Sequence, residues 1–398
     1  MAHIFPFQPY RYAPEAGDIQ NLVTQPYDKI SPAMQARYLS QSPYNLVRVL
    51  LGERKPGDTE SDNVYTRSAR TMNEWIASGI WRRDAGPGIF AYFQEFVVPD
   101  TGERLLRKGF IALGEVVDYS RKIVFRHEQT LTGPKKDRIE LLRHTNMHFE
   151  PIFMLYPDTA GAIDALLDVS AAAPPLAEVT DEYGAIHRMW KVADAAPIRQ
   201  LMADKPLLIA DGHHRYETAL ACGADRMMMC FVNMHSAGLK ILATHRLVSG
   251  VDAAGFLAAA APGFDIAEIP SVEALQQAWA AAGDRSIIGA AIAGKLYKLE
   301  DRTARGELDV RVLHERLLAG ALGIGEEAVR DERHTRYIRG IGAAIEEVRK
   351  GAAQIAFLLK PTSVEQVART SFSGSVMPQK STDFYPKLLS GLLMYKAE

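Results

Sequence analysis

The sequence PLLIADGHHRYETAL, residues 206–220, combines a short apolar run, a turn and a helix-forming segment. The apolar run Leu207–Ala210 predicts a buried strand, Asp211-Gly212 predicts a tight turn, and Arg215 begins a segment of good helix formers. Gly212 permits a close backbone approach at the turn. The order strand, turn, helix therefore predicts an α/β protein, with α+β as the alternative, built around a mixed sheet.

The predicted turn has the chemistry of a phosphate site. A helix that starts after a glycine turn directs unpaired N–H groups and partial positive charge at the turn. Arg215 can add a bidentate fork, and His213 and His214 can donate hydrogen bonds or transfer protons. Asp211 can orient a substrate hydroxyl, accept its proton or hold magnesium. The alternative is that the histidines only cap a helix and Asp211 only closes the turn.

Four segments are predicted along the chain, with the turn in the second: 1–160, 161–250, 251–307 and 308–398. The pattern of apolar residues and breakers predicts their main strands and helices. Predicted strands are 45–51, 89–98, 109–117, 186–192, 227–234, 238–244 and 353–359. Predicted helices are 59–78, 161–169, 252–260, 272–282, 309–321, 341–350 and 363–370. We expect residues 161–250 to form the core that carries the phosphate-binding turn, residues 251–307 to be a small accessory α/β segment, and residues 308–398 to complete the cleft.

Composition narrows the class of protein. A 398-residue chain with 47% hydrophobic and 24% charged residues can bury more than one core. The formal net charge of -2 gives no global positive field, so we expect no nucleic-acid partner. The N-terminus lacks the pattern of a secretory signal, and the apolar runs are too short to cross a bilayer. We therefore predict a cytoplasmic protein without membrane association; oligomers are possible.

Two blocks outside the turn also carry residue types that bind phosphate. His127-Glu128 forms a possible acid/base pair near Lys136 and Arg138, which we place on a Gly-Pro loop; a solvated charged loop is the alternative. His245-Arg246 follows a predicted strand directly, so both side chains are expected at the same sheet edge as the 211 turn.

The N-terminal and C-terminal ends add further candidates. Lys380, Ser381 and Thr382 put a lysine beside hydroxyl groups in a loop, a common way to hold phosphate oxygens; a tail that merely packs across the core is the alternative. Tyr27-Asp28 either provides a second carboxylate or forms a turn.

Several blocks together resemble domain-of-unknown-function family 1015 over essentially the whole chain. These blocks are QPYDKIS (25–31), HEQT (127–130), KKDR (135–138), IADGHHRYETAL (209–220), GLKILATHR (238–246), LDVRVLH (308–314) and MPQKSTDFYPKLLSGL (377–392). DGHHR is also similar to the phosphate-binding element of the ParB/sulfiredoxin superfamily, which includes nucleotide-dependent free-serine kinases. That second resemblance implies a ParB/sulfiredoxin-like core and a nucleotide whose phosphates lie at the start of the helix.

The chain departs from two branches of that superfamily. Sulfiredoxin needs a cysteine in the turn, where this chain has Gly212 and His213. A chromosome-partitioning protein would have a helix-turn-helix after this element, and the sequence shows no recognisable one. The resemblance therefore implies a kinase-like enzyme that transfers a phosphoryl group between ATP or ADP, with magnesium, and a small hydroxylated metabolite. Serine or phosphoserine is the leading substrate by analogy. A nucleotide sensor without turnover and a phosphoester hydrolase are the alternatives.

Overall fold

Apolar strands build a large mixed sheet in this protein, for which a computed structural model describes residues 2–99, 101–128 and 132–397. Within those residues the sheet has nine strands. They are β1 (Ile4–Phe5), β2 (Phe90–Val97), β3 (Arg104–Glu115), β4 (Val124–Phe125), β5 (Ile152–Tyr156), β6 (Ala177–Thr180), β7 (Ile186–Lys191), β8 (Leu207–Asp211) and β9 (Arg226–Asn233). Their order is β4-β8-β5-β9-β3-β2-β7-β6, and β1 pairs with β3.

Parallel and antiparallel pairs coexist in this sheet, as the sequence predicts for the fold class. β8 runs parallel to β4 and antiparallel to β5, while β5 and β9 are parallel. The central strands are buried on both faces, which explains their continuous apolar runs such as that of β9. The fold is therefore α/β with a mixed sheet.

The chain divides into two compact units. Unit 1 comprises residues 1–126, 130–240 and 386–398, and unit 2 comprises residues 127–129 and 241–385. The large sheet belongs to unit 1. The segment boundary predicted near residue 160 runs through this sheet, because β2, β3 and β5 precede it and β7, β8 and β9 follow it.

The helices of unit 1 cover the sheet and a second apolar cluster. They are α1 (Pro32–Gln41), α2 (Val47–Leu50), α3 (Val64–Ala77), α4 (Thr132–Thr145), α5 (Ala162–Ala171), α6 (Ala196–Met202) and α7 (His213–Ala221). Single 3-10 turns occur at Pro14–Ala16, Ile19–Asn21, Tyr27–Lys29 and Tyr119–Arg121. Ile163 of α5, Ile198 of α6 and Tyr216 of α7 are fully buried in one core with Phe110 and Phe231 of the sheet. This packing fixes α7, and hence the turn before it, against the sheet.

Unit 2 has its own six-stranded antiparallel sheet. Its strands are β10 (Thr244–Val248), β11 (Phe264–Ile269), β12 (Arg285–Ile292), β13 (Lys295–Arg305), β14 (Thr335–Arg339) and β15 (Ile355–Leu358), in the order β11-β13-β12-β15-β10-β14. Its helices are α8 (Ala253–Ala260), α9 (Val272–Ala280), α10 (Asp309–Val312), a π-helix (Leu313–Ala321), α11 (Glu326–Arg330), α12 (Ile341–Arg349) and α13 (Val364–Phe372).

Short strands outside the two large sheets occur along the whole chain. They are Tyr10–Tyr12, Trp81–Arg83, Met147–His148, Lys240–Ile241, Phe384–Tyr385 and Tyr395–Lys396.

Two local predictions are wrong. The run 45–51, predicted as a strand, contains helix α2, because the Asn45 side chain accepts a hydrogen bond from the Val47 amide at 2.9 Å and starts a helical turn. The predicted Gly-Pro loop with Lys136 and Arg138 is part of α4. A proline is tolerated in the first helical turn, where its missing N–H would have no intrahelical partner.

Candidate functional site

The turn after β8 has a conformation and a packing that require glycine. Gly212 has a φ of +97°. A Cβ atom at this position would lie 2.7 Å from Cγ2 of Ile152 and 2.9 Å from Nη2 of Arg215. β8 carries a bulge between Ile209 and Asp211, and such a bulge changes the direction of the side chains that follow it. Helix α7 then begins at His213, with Gly212 as an N-cap that has no side chain to accept from the first amides.

Two cations contact the carboxylate of Asp211. Nη2 of Arg215 lies 3.2 Å from Oδ2, and Nζ of Lys387 lies 3.4 Å from Oδ1. Burial alone would raise the pKa of Asp211, but Lys387, Arg215, Lys29 and His213 together lower it well below its usual range. The Asp211 carboxylate is therefore ionised at neutral pH.

Arg215 links this carboxylate to a second one. Its Nη1 donates to the Pro151 carbonyl at 2.9 Å and lies 3.5 Å from Oε1 of Glu150. The other carboxylate oxygen of Glu150 accepts from the Ser390 hydroxyl at 2.7 Å. Burial disfavours the charged form of Arg215, but Glu150 and Asp211 outweigh it and raise its pKa. The site thus alternates cations and carboxylates, all in unit 1.

The C-terminal segment that supplies Lys387 is held in place by hydrogen bonds. The Gln94 amide donates to the Lys387 carbonyl at 2.8 Å, and the Leu389 amide donates to the Tyr92 hydroxyl at 3.2 Å. Backbone bonds of 2.9 and 3.1 Å join Ser390 and Thr24 in both directions. The position of Lys387 beside Asp211 therefore depends on contacts along the whole segment.

A small cavity of about 50 Å³ adjoins Arg215. Arg138, His148, Glu150 and Thr218 are among its lining residues. Burial, and then the charge of Arg215, lower the pKa of His148 to about 4, so this imidazole is neutral at pH 7. In the part of the chain that the structure describes, Nε2 of His148 and Oγ1 of Thr218 have no hydrogen-bond partner. The cavity therefore places a neutral imidazole and a hydroxyl beside the charged side chains of Arg138, Glu150 and Arg215.

The other predicted residues of unit 1 have varied surroundings. His213 is buried and His214 half-buried, both in the first turn of α7. Lys136 is exposed on α4. Arg138 is buried, donates to Asp137 and to the Leu50 carbonyl, and lies 4.2 Å from the centre of the Tyr27 ring. The Tyr27–Lys29 segment forms the predicted turn, and Asp28 is one of the charges acting on Arg215.

The remaining predicted residues lie in unit 2, where several of them meet. Nε2 of His127 lies 2.7 Å from Oγ1 of Thr382, and Arg246 donates to the Lys380 carbonyl at 3.0 Å. Ser381 donates to the Pro378 carbonyl at 2.5 Å. Glu128 forms an isolated backbone bridge with Met377. Gln129 and Thr130 of the HEQT block lie outside the described residues.

The expectation for His245 and Arg246 is wrong in one respect. They do not follow a strand but lie inside β10, which pairs with β14 and β15. β10 and β8 belong to different sheets, so these residues do not share a sheet edge with Asp211. The predicted strand 238–244 contains the short strand Lys240–Ile241 and overlaps β10 only at Thr244, because the pairing of β10 with β14 begins there and continues to Val248. Whether Arg246 and Lys380 share a cleft with Asp211 stays a prediction.

The described residues show neither a metal cluster nor a membrane helix. No group of three or more His, Cys, Asp and Glu side chains is arranged to hold a metal ion there. Likewise, no helix in that part of the chain is long and apolar enough to cross a membrane.

A family profile described as protein of unknown function (DUF1015) matches residues 4–317. The chain belongs to this family. The family prediction is thereby confirmed. Among curated proteins there is no significant match to this DUF1015 protein.

Solved structures resemble the chain only loosely. A conserved hypothetical protein from Pyrococcus furiosus is 17% identical and covers 70% of this chain and 92% of its own, with a TM-score of 0.40. A free serine kinase variant in complex with AMP is 16% identical over 71% and 92%, with a TM-score of 0.42. Truncated SbnI from Staphylococcus aureus is 11% identical over 71% and 87%, with a TM-score of 0.39. At such scores these likenesses carry no conclusion, and the ParB/sulfiredoxin-like core stays a prediction.

Three residues of the site were not among the sequence candidates: Lys387, Glu150 and Ser390. Lys387 and Ser390 lie in the MPQKSTDFYPKLLSGL block, so the family resemblance already marked their segment. Glu150 directly precedes Pro151 and β5, which pairs with β8. A charged residue just outside a buried strand was the available signal.

Gly212→Ala should destabilise the protein more than Gly223→Ala does. Both glycines flank α7 at positive φ, but a Cβ at Gly223 would meet nothing within 4 Å. Gly223→Ala should cost about 1 to 2 kcal/mol for the left-handed backbone alone. Overpacking against Ile152 should add about 1 to 3 kcal/mol at Gly212. Chemical denaturation measures both, and equal losses would show that close packing does not constrain the turn.

Proposed function

We propose that unit 1 binds the phosphates of ATP or ADP at the start of α7 and transfers a phosphoryl group between this nucleotide and a small hydroxylated metabolite. The observation that supports this most directly is the carboxylate of Asp211 between Arg215 and Lys387 at the Gly212 turn. Phosphoryl transfer requires mainly positioning and cationic stabilisation, both of which this arrangement supplies.

The turn suits an anion for three independent reasons. The turn lies at the start of a nine-residue helix, where amide groups and the helix dipole favour negative charge. Arg215 is a planar donor that matches two phosphate oxygens. Lys387 brings a second positive charge from the C-terminal segment. A phosphate here would share both cations with Asp211.

The low pKa of Asp211 selects among its possible roles. A general base works best when its pKa lies near the working pH, and that of Asp211 is far below it. A permanently ionised carboxylate instead suits magnesium, which proteins hold through one or two carboxylates together with phosphate oxygens. We therefore assign Asp211 to holding magnesium and orienting Lys387. His213 and His214 of the same unit stay candidates for proton transfer, and the catalytic role of Glu128, which belongs to unit 2, stays a prediction from the sequence.

The second function worth testing is binding without turnover. A sensor would need the same anion site but no group that acts on the acceptor. Serine or phosphoserine stays the leading metabolite by analogy alone, and hydrolysis of a phosphoester would use nearly the same residues. Turnover assays against these compounds therefore decide between the enzyme and the sensor.

Arg215→Met and Lys387→Met should each weaken the binding of ADP roughly ten- to hundredfold, the range for a lost hydrogen bond to a charged group. Isothermal titration calorimetry with and without magnesium measures the affinity. Lys108→Met is the matched control, because Lys108 also forms an ion pair in unit 1, with Asp168 at 2.7 Å. If all three variants bind ADP as wild type does, the turn is not the nucleotide site.

Asp211→Asn should keep most of the nucleotide affinity but lower turnover roughly a hundredfold or more. The amide keeps the size of the side chain and removes the charge that holds magnesium. The magnesium concentration for half-maximal rate should therefore rise in the variant. Wild type and variant that are equally inert toward serine, phosphoserine and related metabolites, while both bind nucleotide, would establish the sensor instead.

A further inference from the structure

Unit 1 contains a cavity of about 180 Å³ whose described lining residues are separate from those of the Gly212 turn. Helix α1, residues between 20 and 24, and the end of β6 with the two acidic residues that follow it form its walls. A single water molecule needs only about 10 to 15 Å³ of space, so a small organic molecule fits here. Most of the lining side chains are polar or charged, which favours a polar ligand.

The side chains around this cavity carry more negative than positive charge. Asp181 and Glu182 contribute two carboxylates, and Arg37 is the only lysine or arginine among the described lining residues. Nη2 of Arg37 lies 2.6 Å from Oε1 of Glu182, so this cation already has its counter-charge. The charge of Asp181 is left without one.

Neutral donors hold the Asp181 carboxylate instead. Its Oδ1 accepts from the amides of Tyr183 and Ala185, both at 2.9 Å, and its Oδ2 accepts from the Gln25 side chain at 3.2 Å. Nε2 of His187 lies 3.3 Å from Oδ2, and burial lowers the pKa of this imidazole, which is therefore neutral at pH 7. Against the effect of burial, the hydrogen bonds keep the pKa of Asp181 below its usual range. The charge of Asp181 is thus stabilised but not neutralised.

Two oxygen atoms of the lining residues can accept a further hydrogen bond. Thr24 is only 1% exposed, and its Oγ1 has no hydrogen-bond partner among the described residues. Oε2 of Glu182 accepts one hydrogen bond there, from the Gln25 side chain at 3.0 Å, whereas a carboxylate oxygen has two lone pairs. A ligand with two donor groups would use both positions.

We propose that this cavity binds a small primary ammonium compound that also carries a hydroxyl group. The ammonium donates to Oε2 of Glu182, and the hydroxyl forms a hydrogen bond with Oγ1 of Thr24. One positive charge on the ligand balances the charge that Arg37 leaves uncompensated. This inference goes beyond the function proposed for the Gly212 turn and does not depend on it.

Aminoethanol, ethylamine and ethylene glycol test the charge and the hydroxyl separately. Each is titrated into the full-length protein at pH 7 and constant ionic strength while the melting temperature is measured. Aminoethanol should raise the melting temperature of the wild type until the site is saturated, because a ligand that binds only the folded state stabilises it. Ethylamine should bind more weakly, and ethylene glycol, which has no charge, should give no saturable response.

Glu182→Gln should increase the apparent dissociation constant of aminoethanol about tenfold or more, because a hydrogen bond to a charged group is lost. Glu178→Gln is the matched control, since Glu178 belongs to β6, pairs with Arg188 at 2.6 Å and does not line the cavity. Thr24→Val should weaken aminoethanol about two- to tenfold and leave ethylamine unchanged. This variant should fold as stably as wild type, because the hydroxyl that it removes has no partner among the described residues.

Arg215→Met separates this cavity from the Gly212 turn, because its response to aminoethanol should equal that of the wild type. A response lost in Arg215→Met would instead place the binding at the turn. If aminoethanol gives no saturable response, or if Glu182→Gln binds it as wild type does, the cavity is no ammonium site. An equal response to ethylene glycol would overturn the requirement for charge, and equal losses of aminoethanol and ethylamine binding in Thr24→Val would overturn the role of Thr24.

Discussion

The pairing of one half-buried carboxylate with two cations organises unit 1. A charged carboxylate such as that of Asp211 can be buried only if opposite charges lie beside it. Arg215, at the position i+4, provides one of these charges. The second cation, Lys387, comes 176 residues later in the chain. The C-terminal segment must therefore return to the turn, and the hydrogen bonds from Gln94 and to Thr24 hold it there. The local motif and the end of the chain form one electrostatic unit.

The elements that sequence predicts well are those with a local cause. The strands β2, β3, β8 and β9 contain apolar runs bounded by turns, and α3 ends near Gly79, whose φ of +74° fits a left-handed helix end. The run 45–51 failed because four to seven buried apolar residues fit a strand and a helix equally well. A hydrogen bond from the Val47 amide to the Asn45 side chain accompanies the helical turn there, and apolar periodicity does not encode it.

In the site, too, the residues with a local cause were predicted and those brought together by tertiary contacts were not. Residues 211–215 were visible because strand, glycine and helix follow one another directly. The partners of Arg215 and Asp211, namely Glu150 and Lys387, were not visible, because their proximity results from sheet pairing and from the path of the C-terminal segment. The sequence identified His245 and Arg246 as candidates from their residue types, but it did not predict that they lie inside a strand. The boundaries of a strand depend on the strands with which it pairs, here β14 and β15.

The two units differ in how their buried cations are compensated, and this difference has consequences for ligand binding. An anion at the turn of unit 1 meets cations that already pair with Asp211 and Glu150, so binding exchanges or shares existing ion pairs. Much of the Coulomb energy is then present before the ligand arrives, and the net gain depends on geometry and on magnesium. Arg246 of unit 2 is instead compensated by the carbonyls of Thr244, Gln379 and Lys380 and by the Tyr337 ring. An anion at the turn of unit 1 would therefore exchange one ion pair for another, whereas the described contacts of Arg246 contain no ion pair to exchange.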